Sequence, residues 1–207
     1  MNTIDEKLAG LIGSRICHDL ISPIGAVTNG LELMELAGLP QGPEADLVNQ
    51  SAQSAAARIK YYRLAFGDTG PVDAGHTVRS DEIAGILRGV FISDRLDVHW
   101  HVERDLSRAE TKAALLAIMC TEAALTAGGR IDVMEQENRF ILDAKGPKLM
   151  LNTAPWEMLS QTANVLPDTD ITIAPAAVQF AILPEVLRKL SRALFISTEG
   201  DVLTMKF

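Results

Sequence analysis

Two cysteines in 207 residues are too few for a disulfide framework. Cys17 and Cys120 both fall in apolar helical stretches and read as reduced thiols of a cytoplasmic protein. Basic charge is also scarce: 19 Lys and Arg stand against 27 Asp and Glu, a net charge of −8. Binding to phosphate backbones needs a basic face, so nucleic acid is excluded as the main partner. No apolar run approaches the roughly 18 residues of a membrane span. The start, Met1-Asn2-Thr3-Ile4-Asp5-Glu6, is polar and acidic, so no signal peptide is expected. Repeats and low-complexity tracts are absent as well. What is left is an ordinary globular composition, 47% hydrophobic, long enough to bury a core in one or two domains.

Against that plain background one octet stands out: Cys17-His18-Asp19-Leu20-Ile21-Ser22-Pro23-Ile24. Imidazole is a nitrogen nucleophile that can be neutral at cell pH. The adjoining carboxylate of Asp19 can orient one ring nitrogen and leave the other free to attack. Pro23 has no N–H, and its ring clashes with the carbonyl of Asp19, so a helix kink is expected just past the histidine. At about 100° per residue, Ile16, Leu20, Ile24, Val27, Leu31 and Met34 form an apolar stripe, with His18 opposite its middle. Ser14, Arg15, Ser22, Gly25, Asn29 and Glu32 project within about 60° of His18. The histidine thus sits on a polar, small-residue face. Gly25 costs about 1 kcal/mol against Ala in a helix interior, and on this face it leaves room for a partner surface.

The first helix is predicted from Thr3 or Asp5 to Leu36, with Thr3 and Glu6 at capping-box spacing. Ala37 to Pro43 is a breaker. A second helix is predicted from Pro43 or Glu44 to Phe66, Ala-rich between Ala52 and Ala57. Gly67 to Pro71 ends it and begins a linker. A helical hairpin is half of a four-helix bundle, and a second copy of the chain is the simplest source of the other half. Mixed α and β follows: a short helix from Ser80 to Phe91, an alternating strand through Leu96, Val98, Trp100 and Val102, and a helix from Ser107 to Ala127 closed by Gly128-Gly129. Strands are then predicted over Ile131–Met134 and Arg139–Ala144. Helices follow over Pro155–Thr162 and Pro175–Ala193, the latter disturbed by Pro184. A closing hairpin spans Phe195–Thr198 and Val202–Phe207.

The octet resembles the phosphoacceptor box of two-component histidine kinases. The longer string from His18 to Gly30 is similar to one branch, the ChpT-type bacterial histidine phosphotransferases. The likeness continues into Tyr61-Tyr62-Arg63-Leu64-Ala65-Phe66-Gly67 and, more loosely, to the C-terminus. It implies a helical hairpin over 1–67 that forms a dimeric four-helix bundle, a linker over 68–78, and a degenerate histidine-kinase-like, Bergerat-type α/β sandwich over 79–207. It implies a phosphorelay role, with His18 taking a phosphoryl group from a receiver-domain aspartate and passing it to another response regulator. Asp19 assists, and Arg15, Ser22, Gly25 and Asn29 form the expected docking face. The expected partners are a second copy of the chain, response-regulator receiver domains and the receiver of a hybrid histidine kinase.

The likeness to the kinases' ATP-binding domain carries departures. Kinases hold Mg²⁺ and phosphates with an asparagine on the first long helix of that domain, and no asparagine occurs here between Asn49 and Asn138. The adenine-reading Asp-x-Gly-x-Gly is reduced to Asp143-Ala144-Lys145-Gly146-Pro147, and Asp168 to Val178 carries no glycine for a lid. Phosphoryl transfer from ATP rests on positioning and charge neutralisation. Neither ATP binding nor any other cofactor is expected; Mg²⁺ would come from the receiver. His99 and His101 share a strand face, but no third Cys or His lies near in sequence, so a solvated face is expected and no metal. Two readings from other classes stay open: an ATP-dependent sensor kinase with a divergent nucleotide site, and a non-catalytic dimeric scaffold that binds receivers.

Overall fold

The structure, a computed structural model, describes residues 3–38, 42–67, 76–91, 95–151, 154–161 and 173–207. The side chains of the expected Thr3–Glu6 capping box lie outside the description. So do part of the 37–43 breaker, linker residues 68–75, Thr162, and the 168–172 part of the glycine-free stretch.

Helix α1 (Thr3–Ala37) continues through Pro23. The carbonyl of Asp19 therefore lacks the N–H it would receive from position 23, next to the histidine. Helix α2 (Pro43–Phe66) starts on Pro43, whose missing N–H costs nothing in a first turn. It stops at Gly67, and Lys112 donates to the carbonyls of Gly67 (2.7 Å) and Phe66 (3.5 Å). A cation there offsets the negative end of the helix.

The stripe expected on α1 from Ile16 to Met34 does not form one buried face. Leu8, Leu11, Ile12 and Ile16 lean on the protein core. Further on, Ile24 and Leu31 are exposed, together with Ile21 (70%), Leu33 and Leu36 (86%). Cys120 is buried as expected, but Cys17 is exposed. It sits next to His18 on the open side of α1, not in an apolar setting.

The rest is α/β. Strand β1 (Thr77–Val78) pairs antiparallel with β3 (Leu106–Ser107). Helix α3 (Ser80–Val90) precedes β2 (Leu96–Trp100), and α4 (Arg108–Ala124) follows β3. Then come β4 (Gly129–Gln136), β5 (Arg139–Lys145), α5 (Ala154–Gln161), a 3-10 turn (Pro175–Ala177), α6 (Val178–Lys189), β6 (Phe195–Glu199) and β7 (Val202–Lys206). The five-stranded sheet has the order β2-β4-β5-β7-β6, parallel at β2–β4 and antiparallel elsewhere.

Alternation sets the two faces of the sheet. Ile131, Val133, Phe140, Leu142, Ala144, Leu203 and Met205 are fully buried, as is α4 from Ala113 to Cys120. Burying each such Leu or Phe contributes roughly 1.5–3 kcal/mol. Ser107 caps α4 in a capping box with Glu110. The helix ends at Ala124 rather than Ala127, because Leu125 turns back to bond the Glu122 carbonyl. Gly128 then takes φ +86°, and a Cβ there would meet the Arg95 carbonyl at 2.3 Å.

The boundary expected at residue 67 marks a change of architecture, yet the core crosses it. Tyr61, Tyr62, Leu64 and Ala65 of α2 belong to the same buried cluster as α3, α4 and the sheet. This placement holds the His18 segment of α1 against the α/β half.

Candidate functional site

His18 leaves α1 on an outward face, with its side chain 86% exposed. Its Nδ1 lies 3.0 Å from Asp19 Oδ1. Asp19 is only 13% exposed. Its second oxygen, Oδ2, accepts from Arg15 Nε at 2.7 Å and from the Tyr62 hydroxyl. Burial alone would raise this carboxyl. The hydrogen bonds from Tyr62 and His18 and the charge of Arg15 outweigh burial and hold it below its ordinary value. Burial first, and Asp19 second, push the Tyr62 phenol well up, so it remains a donor.

These facts fix the histidine's tautomer. An ionised carboxylate only accepts, so the proton in the His18–Asp19 bond belongs to Nδ1. In the neutral ring the lone pair is then on Nε2, and the side chain as a whole is exposed. That is the form a nucleophilic imidazole needs.

The ring opens on a groove of about 430 Å³ between α1 and α2. Its α1 wall is His18, Asp19, Ser22, Pro23 and Ala26; its α2 wall includes Ser51, Ser54 and Arg58. Ser54, Arg58 and Tyr62 recur every four residues, so one face of α2 looks at the histidine. Arg58 supplies positive charge there.

The expected docking residues separate in space. Ser22 lines the groove. Gly25 lies beyond it, with nothing within 4 Å of where a Cβ would sit, and Asn29 is exposed. Arg15 does not sit at a solvent rim. It is half-buried, and its Nη1 donates to the Ala176 carbonyl at 2.8 Å. A helical projection misplaces Arg15 because its long stem carries the charge across to a neighbouring element. Tyr62 and Arg58 had no role in the sequence reading. The only signal for Tyr62 was its place in the string Tyr61 to Gly67.

In the α/β half, Asp143 accepts from Thr204 Oγ1 at 2.7 Å. A Cβ on Gly146 would meet the Gly128 carbonyl at 2.5 Å and Leu125 Cδ2 at 2.7 Å. The Met150 N–H bonds the Ala124 carbonyl, folding the chain after β5 over the end of α4. Gly146 thus packs closely on the Gly128 carbonyl and the Leu125 side chain.

A third ligand does reach His99 and His101, across the sheet rather than along the chain. Asp132 pairs with His99 in the β2–β4 register, and its Oδ1 lies 2.9 Å from His101 Nε2. The imidazoles stack at 6.1 Å. Arg130 forks both oxygens of Asp132 at 2.7 Å and, with His101, holds that carboxyl at about 2. The Arg130 guanidinium thus competes with any cation for this carboxylate, on an open strand face.

The family of histidine phosphotransferase C-terminal domains matches residues 80–202. Protein phosphotransferase ChpT of Brucella abortus (strain 2308) is 32% identical over 161 residues, which are 75% of this chain and 76% of that protein. A solved bacterial phosphotransferase superposes with a TM-score of 0.74 at 26% identity, covering 100% of this chain and 97% of that one.

Proposed function

The chain belongs to the ChpT-type histidine phosphotransferases of two-component phosphorelays, and from that premise we propose that His18 carries the phosphoryl group. The supporting observation is the exposed ring of His18, held at Nδ1 by a half-buried, ionised Asp19. A receiver domain brings its aspartyl phosphate into the groove. Nε2 attacks phosphorus in line, an N–P bond forms, the acyl P–O bond breaks, and the receiver's carboxylate leaves. The ring becomes cationic, with its Nδ1 proton directed at Asp19, which stabilises that charge. Attack by a second receiver's carboxylate reverses the sequence and frees His18. Arg58 in the groove wall offsets charge on the moving phosphoryl oxygens.

Mg²⁺ belongs to the receiver's acidic pocket, and the phosphotransferase brings no cofactor of its own. The tight packing of Gly146 on Gly128 and Leu125 supports a relay without ATP. The exposed apolar residues of α1, with Leu47 and Ile59 on α2, support a homodimer in which two hairpins make a four-helix bundle. The docking face of this reading is Ser22, Gly25 and Asn29, with the groove beside them. No helix among the described residues is long and apolar enough to cross a membrane, and a relay with receiver domains fits the cytoplasm. The test is to incubate the protein with a phosphorylated receiver and map the acid-labile phosphate. It should sit on His18; an unphosphorylated protein that still binds the receiver would make it a scaffold.

A further inference from the structure

Asp19 is the group that orients His18, and something must orient Asp19. A carboxylate that is 13% exposed has few water molecules to set its rotation. Its Oδ1 is taken by His18, so the donors on Oδ2 decide where the plane points. Those donors are Tyr62 and Arg15, one from each helix of the hairpin.

Both donors are themselves fixed by the α/β half. Tyr62 is 5% exposed, stacks on Phe66 at 5.7 Å, and meets the edge of Tyr61 at 5.9 Å. Tyr61 donates its hydroxyl to the Leu115 carbonyl of α4 at 2.8 Å. Arg15 reaches the Ala176 carbonyl in the 3-10 turn before α6. The buried Gln179 donates to the same carbonyl at 3.0 Å. Glu122 of α4 faces Arg15 and Arg58 across the junction; burial raises its carboxyl against the pull of those two charges.

We infer that Tyr62 is a positioning residue for phosphotransfer: together with Arg15, tethered at Ala176, it locks Asp19 and thereby keeps His18 in the Nδ1–H tautomer. This rests on His18 as the phosphoacceptor. It gives the α/β half a task that needs no nucleotide. Through Leu115 and Ala176 that half sets the phosphoacceptor's geometry from behind, while its front stays open to the receiver.

The test is Tyr62→Phe in the full-length protein. The ring and its stacking remain, and one hydrogen bond goes. Transfer from a phosphorylated receiver should slow about ten- to a hundredfold, the size expected for losing one hydrogen bond to a charged group. Labelling by phosphoramidate, a small donor that needs no docking, should fall by the same factor. Nitrogen-15 spectra of the His18 ring should change from one tautomer to a mixture. Arg15→Gln removes the other donor and its tether, and should show the same signature should Tyr62→Phe not fold. Wild-type tautomer and wild-type phosphoramidate labelling in the variants would overturn the inference, as would a loss seen with the receiver alone, which would make Tyr62 a docking residue. His18→Ala run in parallel separates this failure from failure of the phosphoacceptor reading itself.

Discussion

At the scale of single residues, carboxylates in this protein differ by what meets them. Asp19 meets the His18 ring, Arg15 and Tyr62. Glu110 works for the fold: it closes the α4 capping box and accepts from Arg104 and Arg192. Burial pulls Glu110 up, but Arg104 and Ser107 pull harder and hold it at about 2. Its folded-state pKa lies below the unfolded one, so its stabilisation is full above the unfolded value and is lost as pH falls through the folded value. Glu110→Gln should therefore cost about 3 kcal/mol at neutral pH and well under about 1 kcal/mol near pH 2. Denaturant titrations across that range read the difference; an equal loss at both ends would mean that the charge is not the cause. Residue-scale chemistry was also where the sequence was most legible. His18, Asp19 and Pro23 are neighbours, and their relation needs only a helix. Tyr62, Arg58 and Ala176 reach the same place through packing between elements, which no local spacing records.

At the scale of elements, periodicity located nearly every helix and strand. The β1–β3 ladder escaped because two residues per strand carry no period. Helix α4 ended early because Leu125 found a partner within its own last turn. The α1 stripe was a single pattern in sequence, but in the fold Ile16 leans on the core, Leu20, Val27 and Met34 are half-buried, and Ile24 and Leu31 are exposed. Helix α1 also presents Gly25 one turn past Ser22. Open space surrounds a Cβ there, so Gly25→Leu should fold with an unchanged or slightly higher melting temperature. A bulky side chain on that face keeps the receiver from bringing its phosphate within about 3–3.5 Å of the ring, the distance attack requires. Transfer should fall at least tenfold. A variant that melts normally and transfers at the wild-type rate would mean receivers dock elsewhere.

At the scale of the whole molecule, the hairpin and the α/β half share one core, while the far part of the hairpin exposes Ile21, Ile24, Leu31, Leu33 and Leu36. A second copy would cover them, so light scattering at micromolar concentration should give twice the 22.4 kDa of one chain. A mass of one chain would contradict the bundle. The α/β half carries no asparagine on α4, and Gly146 packs on Gly128 and Leu125. Calorimetry with millimolar ATP and Mg²⁺ should show no specific binding; micromolar affinity would return the protein to the kinases. The most direct measurement of the central claim is phosphotransfer from a phosphorylated receiver to proteins with single histidines replaced. His18→Ala should abolish labelling, while replacement of His76, His99 or His101 leaves it intact; acid-labile phosphate on His18→Ala would contradict the account.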